Sequence, residues 1–165
     1  TAGRVNTRRL RRSLAGARDP RRSRAGTVVL VASQFNPSIT QALVDGARQT
    51  LMRYAMPASR IRTVWVPGAF ELPLAALTAA QRRQTRAVIA LGCLIKGETP
   101  QYAAIGHAVA EGLTQVALKT KVPVTFGVII ADSKAQAKAR AGRAGNRGSE
   151  AALAALAMMD MVNRS

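Results

Sequence analysis

The chain has 165 residues, of which 48% are hydrophobic, and this length and composition are typical of one globular domain. With one cysteine, Cys93, and one histidine, His107, the chain has neither an internal disulfide framework nor a metal site built from several such residues. No apolar run approaches the roughly 20 residues of a membrane-spanning helix, and the amino end has no apolar signal core. We therefore expect an intracellular, cytoplasmic protein without a membrane partner.

The net charge of +17 indicates an anionic partner, and much of it is concentrated at the amino end. Residues 1–26 contain nine arginines against one acid, Asp19, with few apolar residues and no sustained periodicity. They are predicted to form a mobile basic tail before a domain over residues 27–165. The tail is either an arm for nucleic acid or another anionic surface, or simply a solvated, upstream or organelle-targeting segment. Its lack of aromatic residues favours the second group.

The domain begins with a buried strand over residues 27–32, an unbroken apolar run. Asn36 and Pro37 are predicted to cap and begin a helix, because asparagine suits the cap and proline suits the first helical position. Phe35 falls in the crossing between strand and helix. An aromatic ring there could stack on a planar ligand or close the core.

A second strand is predicted over residues 60–66, nearer the edge of the sheet because its pattern alternates at first. Pro67 and Gly68 end it. In the helix that follows, Glu71 is expected in the first turn, either as a partner of the helix dipole or as a carboxylate facing a ligand. The inward face of this helix is predicted to contain Phe70, Leu74 and Leu77.

The central part of the chain is a strand over residues 87–91, followed by a glycine-broken loop and a helix. Five apolar residues without alternation predict a parallel strand that is covered on both faces. Thr99 is expected to cap the helix and Pro100 to occupy its first position, with the helix ending near Lys121. Because ligands bind at the carboxyl ends of parallel strands, this loop is the candidate site.

A fourth strand over residues 122–129 and a helix capped by Asp132 and Ser133 come next, and a last helix covers residues 149–162. The glycine-rich turn at 141–148 is either an anion site or a helix break with solvated arginines, Arg140, Arg143 and Arg147. Four βα units predict an α/β fold, a three-layer αβα sandwich with a flavodoxin-like parallel sheet of order 2-1-3-4.

Five segments in register resemble the successive motifs of the lumazine synthase family over residues 27–165, and together they are far more specific than any one alone. They are residues 33–36, 66–73, 92–99, 123–128, and 140–142 with 145–148. The resemblance implies a transferase of riboflavin biosynthesis without a metal or organic cofactor. Such an enzyme condenses 5-amino-6-ribitylaminouracil with 3,4-dihydroxy-2-butanone 4-phosphate, through an imine and loss of phosphate, to give 6,7-dimethyl-8-ribityllumazine.

The resemblance also implies substrate-binding residues at a site between subunits of a homo-oligomer, a pentamer or a 60-subunit icosahedral capsid. Contacts with the pyrimidine and its ribityl chain would come from Phe35, Ala69, Phe70 and Glu71, and from backbone groups of Cys93, Leu94 and Ile95. The butanone phosphate would face Glu98 and Thr99, and the arginines of the site would be Arg140, which holds the phosphate, and Arg147. Phe126 would come from the neighbouring subunit.

The chain departs from the family pattern at the catalytic position. Gln101 stands where the family usually has a proton-moving histidine, and Ala103 replaces an acid. A glutamine amide forms hydrogen bonds but does not titrate near neutral pH. His107 lies roughly 120° around the helix from Gln101. The alternative hypothesis is therefore a shell-forming or ligand-binding relative with weakened catalysis, in which the basic tail holds an anionic cargo such as nucleic acid.

Overall fold

The computed structural model describes residues 26–164, so the predicted basic tail, residues 1–26, lies outside the described part of the chain except for Gly26. The strands are β1 (Thr27–Ser33), β2 (Ile61–Val66), β3 (Thr85–Ile95) and β4 (Val124–Ala131). The helices are α1 (Pro37–Arg53), α2 (Leu72–Ala80), α3 (Gln101–Thr120), α4 (Lys134–Ala141) and α5 (Arg147–Val162), and two 3₁₀ turns cover Ala58–Arg60 and Ala69–Glu71. No helix in residues 26–164 is long and apolar enough to cross a bilayer.

The four strands form one parallel sheet of order β2-β1-β3-β4, which confirms the predicted fold class and strand order. Alternate residues of β1 supply two separate cores. Val28 and Leu30 pack with α1, α4 and α5 on one face, whereas Val29 and Val31 pack with α2 and α3 on the other. Each strand of the centre is therefore apolar on both sides, as the unbroken apolar runs predicted.

Strand β3 is longer than predicted, and its length shapes the candidate site. It covers 11 residues, Thr85–Ile95, so residues 92–95 continue the strand and do not form a loop. The pairing with β1 stops at Leu91, whereas the pairing with β4 continues to Ile95. The end of β3 therefore has a neighbouring strand on one side only.

Of the three predicted helix caps, one is confirmed, one is confirmed in position only, and one is wrong. Asn36 occupies the N-cap position of α1 and Pro37 begins the helix, but Asn36 has a left-handed backbone with φ 51° and its side chain makes no capping bond. Helix α3 begins at Gln101 after Pro100, so Thr99 lies one residue too early to cap it. Ser133 does cap α4, since its side chain accepts a hydrogen bond from the backbone N–H of Gln136.

The predicted inward face of α2 is only partly confirmed, since Leu77 packs against the core but the other two predicted residues do not. Phe70 is 63% exposed and Leu74 is 71% exposed, whereas Leu72 and Ala76 are buried. The reason is the 3₁₀ turn Ala69–Glu71, which precedes the helix and changes its rotational phase relative to a single continuous α-helix. Two large apolar side chains therefore face outward near the carboxyl ends of the strands.

Helices α1 and α5 approach very closely, and Asn146 holds them to the end of α4. A Cβ atom added at Gly148 would lie 2.0 Å from the Leu43 carbonyl oxygen, so only glycine permits this contact. The Asn146 amide donates hydrogen bonds to the carbonyls of Ala42 (3.0 Å) and Ala141 (2.7 Å). Its oxygen accepts a bond from the Ser149 N–H at 3.0 Å and so caps α5. The glycine-rich turn is thereby attached to three helices.

Candidate functional site

The unpaired end of β3 supplies backbone hydrogen-bonding groups beside the carboxyl end of β1. Successive residues of a strand direct their backbone N–H and C=O groups alternately to the two sides. The Cys93 carbonyl accepts a bond from the Asn36 side chain on the β1 side, and the Lys96 N–H donates to Ala131 on the β4 side. By this alternation, backbone groups of Cys93 and Ile95 face the gap beyond β1, and those of Leu94 belong to the pairing with β4.

Phe35 lies at this gap, with its ring 68% exposed, so it does not close the core. Its backbone is held from both sides. The Thr40 hydroxyl donates to the Phe35 carbonyl at 2.9 Å, and the Asn36 amide donates to the Cys93 carbonyl at 2.9 Å. A planar group that stacks on Phe35 would therefore have its polar edge near the backbone of Ile95, which has no partner strand on this side.

The turn after β2 brings Glu71 to the same end of the sheet. The end of β2 adjoins the end of β1, because the Gln34 N–H donates to the Val66 carbonyl at 2.8 Å. Within the turn, the Gly68 N–H donates to the Glu71 carboxylate at 2.8 Å. Ala69 is buried beneath it, and the Phe70 ring is exposed. The hydrogen bond from the Gly68 N–H fits the dipole interpretation of Glu71. Because Glu71 is exposed, its second carboxylate oxygen can accept a hydrogen bond from a ligand.

The loop between β3 and α3 completes this group of residues. Glu98, Thr99 and Gln101 are all exposed there, immediately beyond the end of β3. Cys93 belongs to the group only through its backbone, since its side chain is 1% exposed and burial raises the pKa of the thiol from 9.0 to about 11. The thiol is therefore protonated at neutral pH and is not a nucleophile.

The remaining predicted residues lie elsewhere, around a groove at the free edge of β4. Phe126, Arg140 and Arg147 line this groove, which has a volume of about 1010 Å³. Phe126 pairs with Ala90, three residues or about 10 Å along the strand from Cys93. One chain therefore presents the predicted site as two separate groups, the Phe35 group at the carboxyl ends of β1, β2 and β3, and the Phe126 group at the β4 edge.

The two arginines of the Phe126 group differ in their surroundings. Arg147 forms an ion pair with the buried Glu150, with 3.0 Å between Nη1 and Oε2. Arg140 is half-buried at the end of α4 and forms no ion pair with any of residues 26–164. Its guanidinium is thus the one of the pair that can give its full hydrogen-bonding capacity to a phosphate.

Sequence reasoning missed the positioning roles of Asn36 and Asn146. Asn36 joins the loop after β1 to β3, and Asn146 anchors the turn beside Arg140 and Arg147. A signal for the first was available, because proline disfavours the right-handed helical region for the residue before it, and asparagine tolerates the left-handed one. No local sequence pattern predicts all three hydrogen bonds of Asn146, since Ala42 is far away in sequence and Ala141 belongs to another helix.

Comparison with known proteins identifies the family. A profile for 6,7-dimethyl-8-ribityllumazine synthase matches residues 26–163. The protein of that name from Coxiella burnetii (strain CbuG_Q212) is 44% identical over 115 residues, which cover 70% of this chain and 76% of that protein. The protein of the same name from Leuconostoc mesenteroides subsp. mesenteroides is 39% identical over 115 residues, which cover 70% of this chain and 74% of that protein. On this evidence, the chain belongs to the 6,7-dimethyl-8-ribityllumazine synthase family.

Proposed function

We propose that this protein is a working lumazine synthase, which condenses 5-amino-6-ribitylaminouracil with 3,4-dihydroxy-2-butanone 4-phosphate in riboflavin biosynthesis. The observation that carries the proposal is the exposed Phe35 ring beside the end of β3, where the backbone of Ile95 has no partner strand on the β1 side. A pyrimidine needs an aromatic face and a polar edge with donors and acceptors, and this arrangement offers them side by side. Ala69, Phe70 and Glu71 flank the place where its ribityl chain would extend.

The second substrate would use Arg140, since a guanidinium binds phosphate through two parallel hydrogen bonds. Glu98 and Thr99 would face the carbon chain of the butanone. Gln101 would orient the reacting groups through its amide without titrating, so positioning would supply most of the rate in place of a proton-moving histidine. Arg147 would add positive charge beside Arg140 while its ion pair with Glu150 fixes its direction.

We propose that the complete site forms between two copies of the chain. The Phe35 group lies towards the β2 side of the sheet and the Phe126 group lies at the β4 edge, so the two groups of one chain are apart. Head-to-tail contact of one edge with the other would join them and would close into a ring. Exposed apolar side chains on both edges, Trp65 on β2 and Ile130 on β4, support such a contact. A pentamer is the assembly that we propose, with a 60-subunit shell as its possible further stage.

The test of the activity is formation of lumazine from the two substrates by the full chain, compared with its Arg140→Ala variant. Loss of one charge-assisted contact should raise the KM for the butanone phosphate by about tenfold to 150-fold, and should leave the dissociation constant of the pyrimidine nearly unchanged. The matched control is Lys138→Ala, which removes an exposed cation from the same helix. No product from the parent protein would refute the activity, and equal losses for both substrates would refute the role of Arg140.

The basic tail supports one further proposal, that residues 1–26 bind nucleic acid in a salt-dependent way. The tail carries nine arginines and one acid, and binding through phosphates weakens steeply as salt rises. Two measurements would be made with and without these residues. Light scattering gives the size of the assembly, and the ratio of nucleic-acid to protein ultraviolet absorbance reports bound nucleic acid. A monomer would refute the assembly, and a nucleic-acid signal that persists without the tail would refute the cargo role.

A further inference from the structure

A second cavity lies at the opposite end of the sheet from the Phe35 group. It is lined by residues near the amino ends of three strands, among them Thr27 of β1, Arg62 of β2 and Thr85 of β3. Its volume is about 390 Å³. Small-molecule sites generally have volumes of roughly 300–1,000 Å³, so the cavity is large enough for a compact organic ligand.

The floor of this cavity is apolar and is formed by the sheet and by α2. Val29 and Val64 contribute from adjacent strands, and Ala75 and Ala79 contribute from the helix. The short alanine side chains leave the space between β2 and α2 open. An apolar body placed there would cover Val64, which is 44% exposed, and this burial is favourable.

The rim of the cavity is strongly positive. Arg62, Arg82 and Arg83 lie around it, and the lining contains no acidic side chain. None of these three guanidinium groups forms an ion pair or a hydrogen bond with another of residues 26–164. Three unpaired guanidinium groups above an apolar floor leave both a charge and a surface for one external molecule to satisfy.

We propose that this cavity binds an amphipathic organic anion, with an aromatic or aliphatic body between β2 and α2 and a phosphate, sulfonate or carboxylate head on Arg62, Arg82 and Arg83. Charge argues against the chain's own basic tail as the occupant. Residues 1–25 join the domain at Gly26, next to Thr27 in the lining, and they carry a large excess of arginine. The tail instead adds to the positive potential that attracts the anion.

The test uses 8-anilinonaphthalene-1-sulfonate, a fluorescent probe with an aromatic body and an anionic head. The probe is titrated into the full chain, with the pyrimidine substrate in excess so that the exposed rings of the Phe35 group are occupied. Arg82→Gln and Arg83→Gln should each raise its dissociation constant about threefold, and the double variant about tenfold, because each removes one partly solvated charge contact. Ala79→Leu should abolish binding by filling the cavity. Lys134→Gln, an equal change of charge on an exposed residue of α4, should leave binding unchanged.

Displacement of the probe identifies the chemistry of the ligand. We expect 1-naphthyl phosphate to displace it and 1-naphthol to fail, because the head group is required. Affinity that is the same in the Arg82→Gln, Arg83→Gln double variant and the parent would overturn the proposal, since the probe would then bind elsewhere. A change of oligomeric state in this double variant, measured by light scattering, would also overturn it, because the cavity would then be a contact between copies. Lumazine formation by the double variant should equal that of the parent.

Discussion

Replacing Phe35 by alanine should weaken binding of the pyrimidine substrate without unfolding the protein. Phe35 is 68% exposed and lies beside the end of β3 that has no pairing with β1. Stacking of a base on an aromatic side chain is worth about 1–3 kcal/mol when measured by alanine substitution. Since about 1.4 kcal/mol is a factor of ten, the dissociation constant of a pyrimidine analogue should rise by about fivefold to 150-fold.

The same structure predicts a small effect on stability. Full burial of a phenylalanine side chain stabilises a protein by about 1.5–3 kcal/mol, and only about a third of this ring is covered. The free energy of unfolding should therefore fall by less than about 1 kcal/mol. A ring that closed the core would instead cost about 3–5 kcal/mol on truncation. Binding and stability thus separate the two interpretations of Phe35.

The assay combines calorimetric titration of the pyrimidine analogue with urea unfolding of the same samples. Met52→Ala is the matched control, because Met52 is a large apolar side chain on α1 that is 50% exposed and lies outside both groups of site residues. It should change neither quantity substantially. An unaltered dissociation constant for Phe35→Ala would contradict a stacking role for the ring, and a loss of stability of about 3 kcal/mol or more, the cost of emptying a core site, would place the ring in the core.

Three further predictions concern catalysis, stability and pH. Gln101→His should raise the turnover number and introduce a pH dependence near the pKa of histidine, with little change in pyrimidine affinity. An unchanged pH–rate profile would mean that another group moves the proton. Asn146→Ala should lower the free energy of unfolding by about 2–3 kcal/mol, because three hydrogen bonds are lost. Ser133→Ala loses one hydrogen bond and should cost about 1 kcal/mol. Urea unfolding in which Ser133→Ala costs more than Asn146→Ala would contradict this assignment. Burial raises the pKa of Cys93 from 9.0 to about 11, so the thiol stays neutral in the folded protein while it ionises in the unfolded chain. The neutral thiol's contribution to the free energy of unfolding is therefore complete below about pH 9 and is lost as pH rises towards 11. In urea unfolding at these pH values, Cys93→Ala should remove this part of the decline in stability.

The order of the strands was predictable because it depends on features that a sequence displays. Apolar runs without alternation marked the central strands, and the helices between them required right-handed parallel connections. The face of α2 was not predictable in the same way. Its phase depends on the 3₁₀ turn Ala69–Glu71, and nothing in the apolar spacing distinguishes that turn from a first turn of α-helix. Phe70 and Leu74 therefore face away from the core.

The residues of the candidate site were predictable from motifs, whereas their grouping was not. The end of β3 and the turn after β2 both follow strands, so a common location at the carboxyl ends was expected. Phe126 lies inside a strand, and its position relative to Cys93 depends on the register between β3 and β4. Register is set by the packing of whole faces of the sheet, so a single sequence does not reveal it. Asn36 was misjudged for a related reason, because its partner Cys93 is 57 residues away.

The register that places Phe126 opposite Ala90 has a genetic consequence. If each site takes its Phe35 group from one copy and its Phe126 group from the next, two alleles with different defects can restore each other. Suppose that Phe35→Ala and Arg140→Ala chains are coexpressed in equal amounts. A site is intact where an Arg140→Ala copy supplies the unaltered Phe35 group and the next copy, a Phe35→Ala chain, supplies the unaltered Arg140. In a ring of randomly mixed copies, about a quarter of the junctions have that arrangement. Intragenic complementation at that level, from two alleles that each bind one substrate poorly, would be a property of the assembled ring and of no single chain.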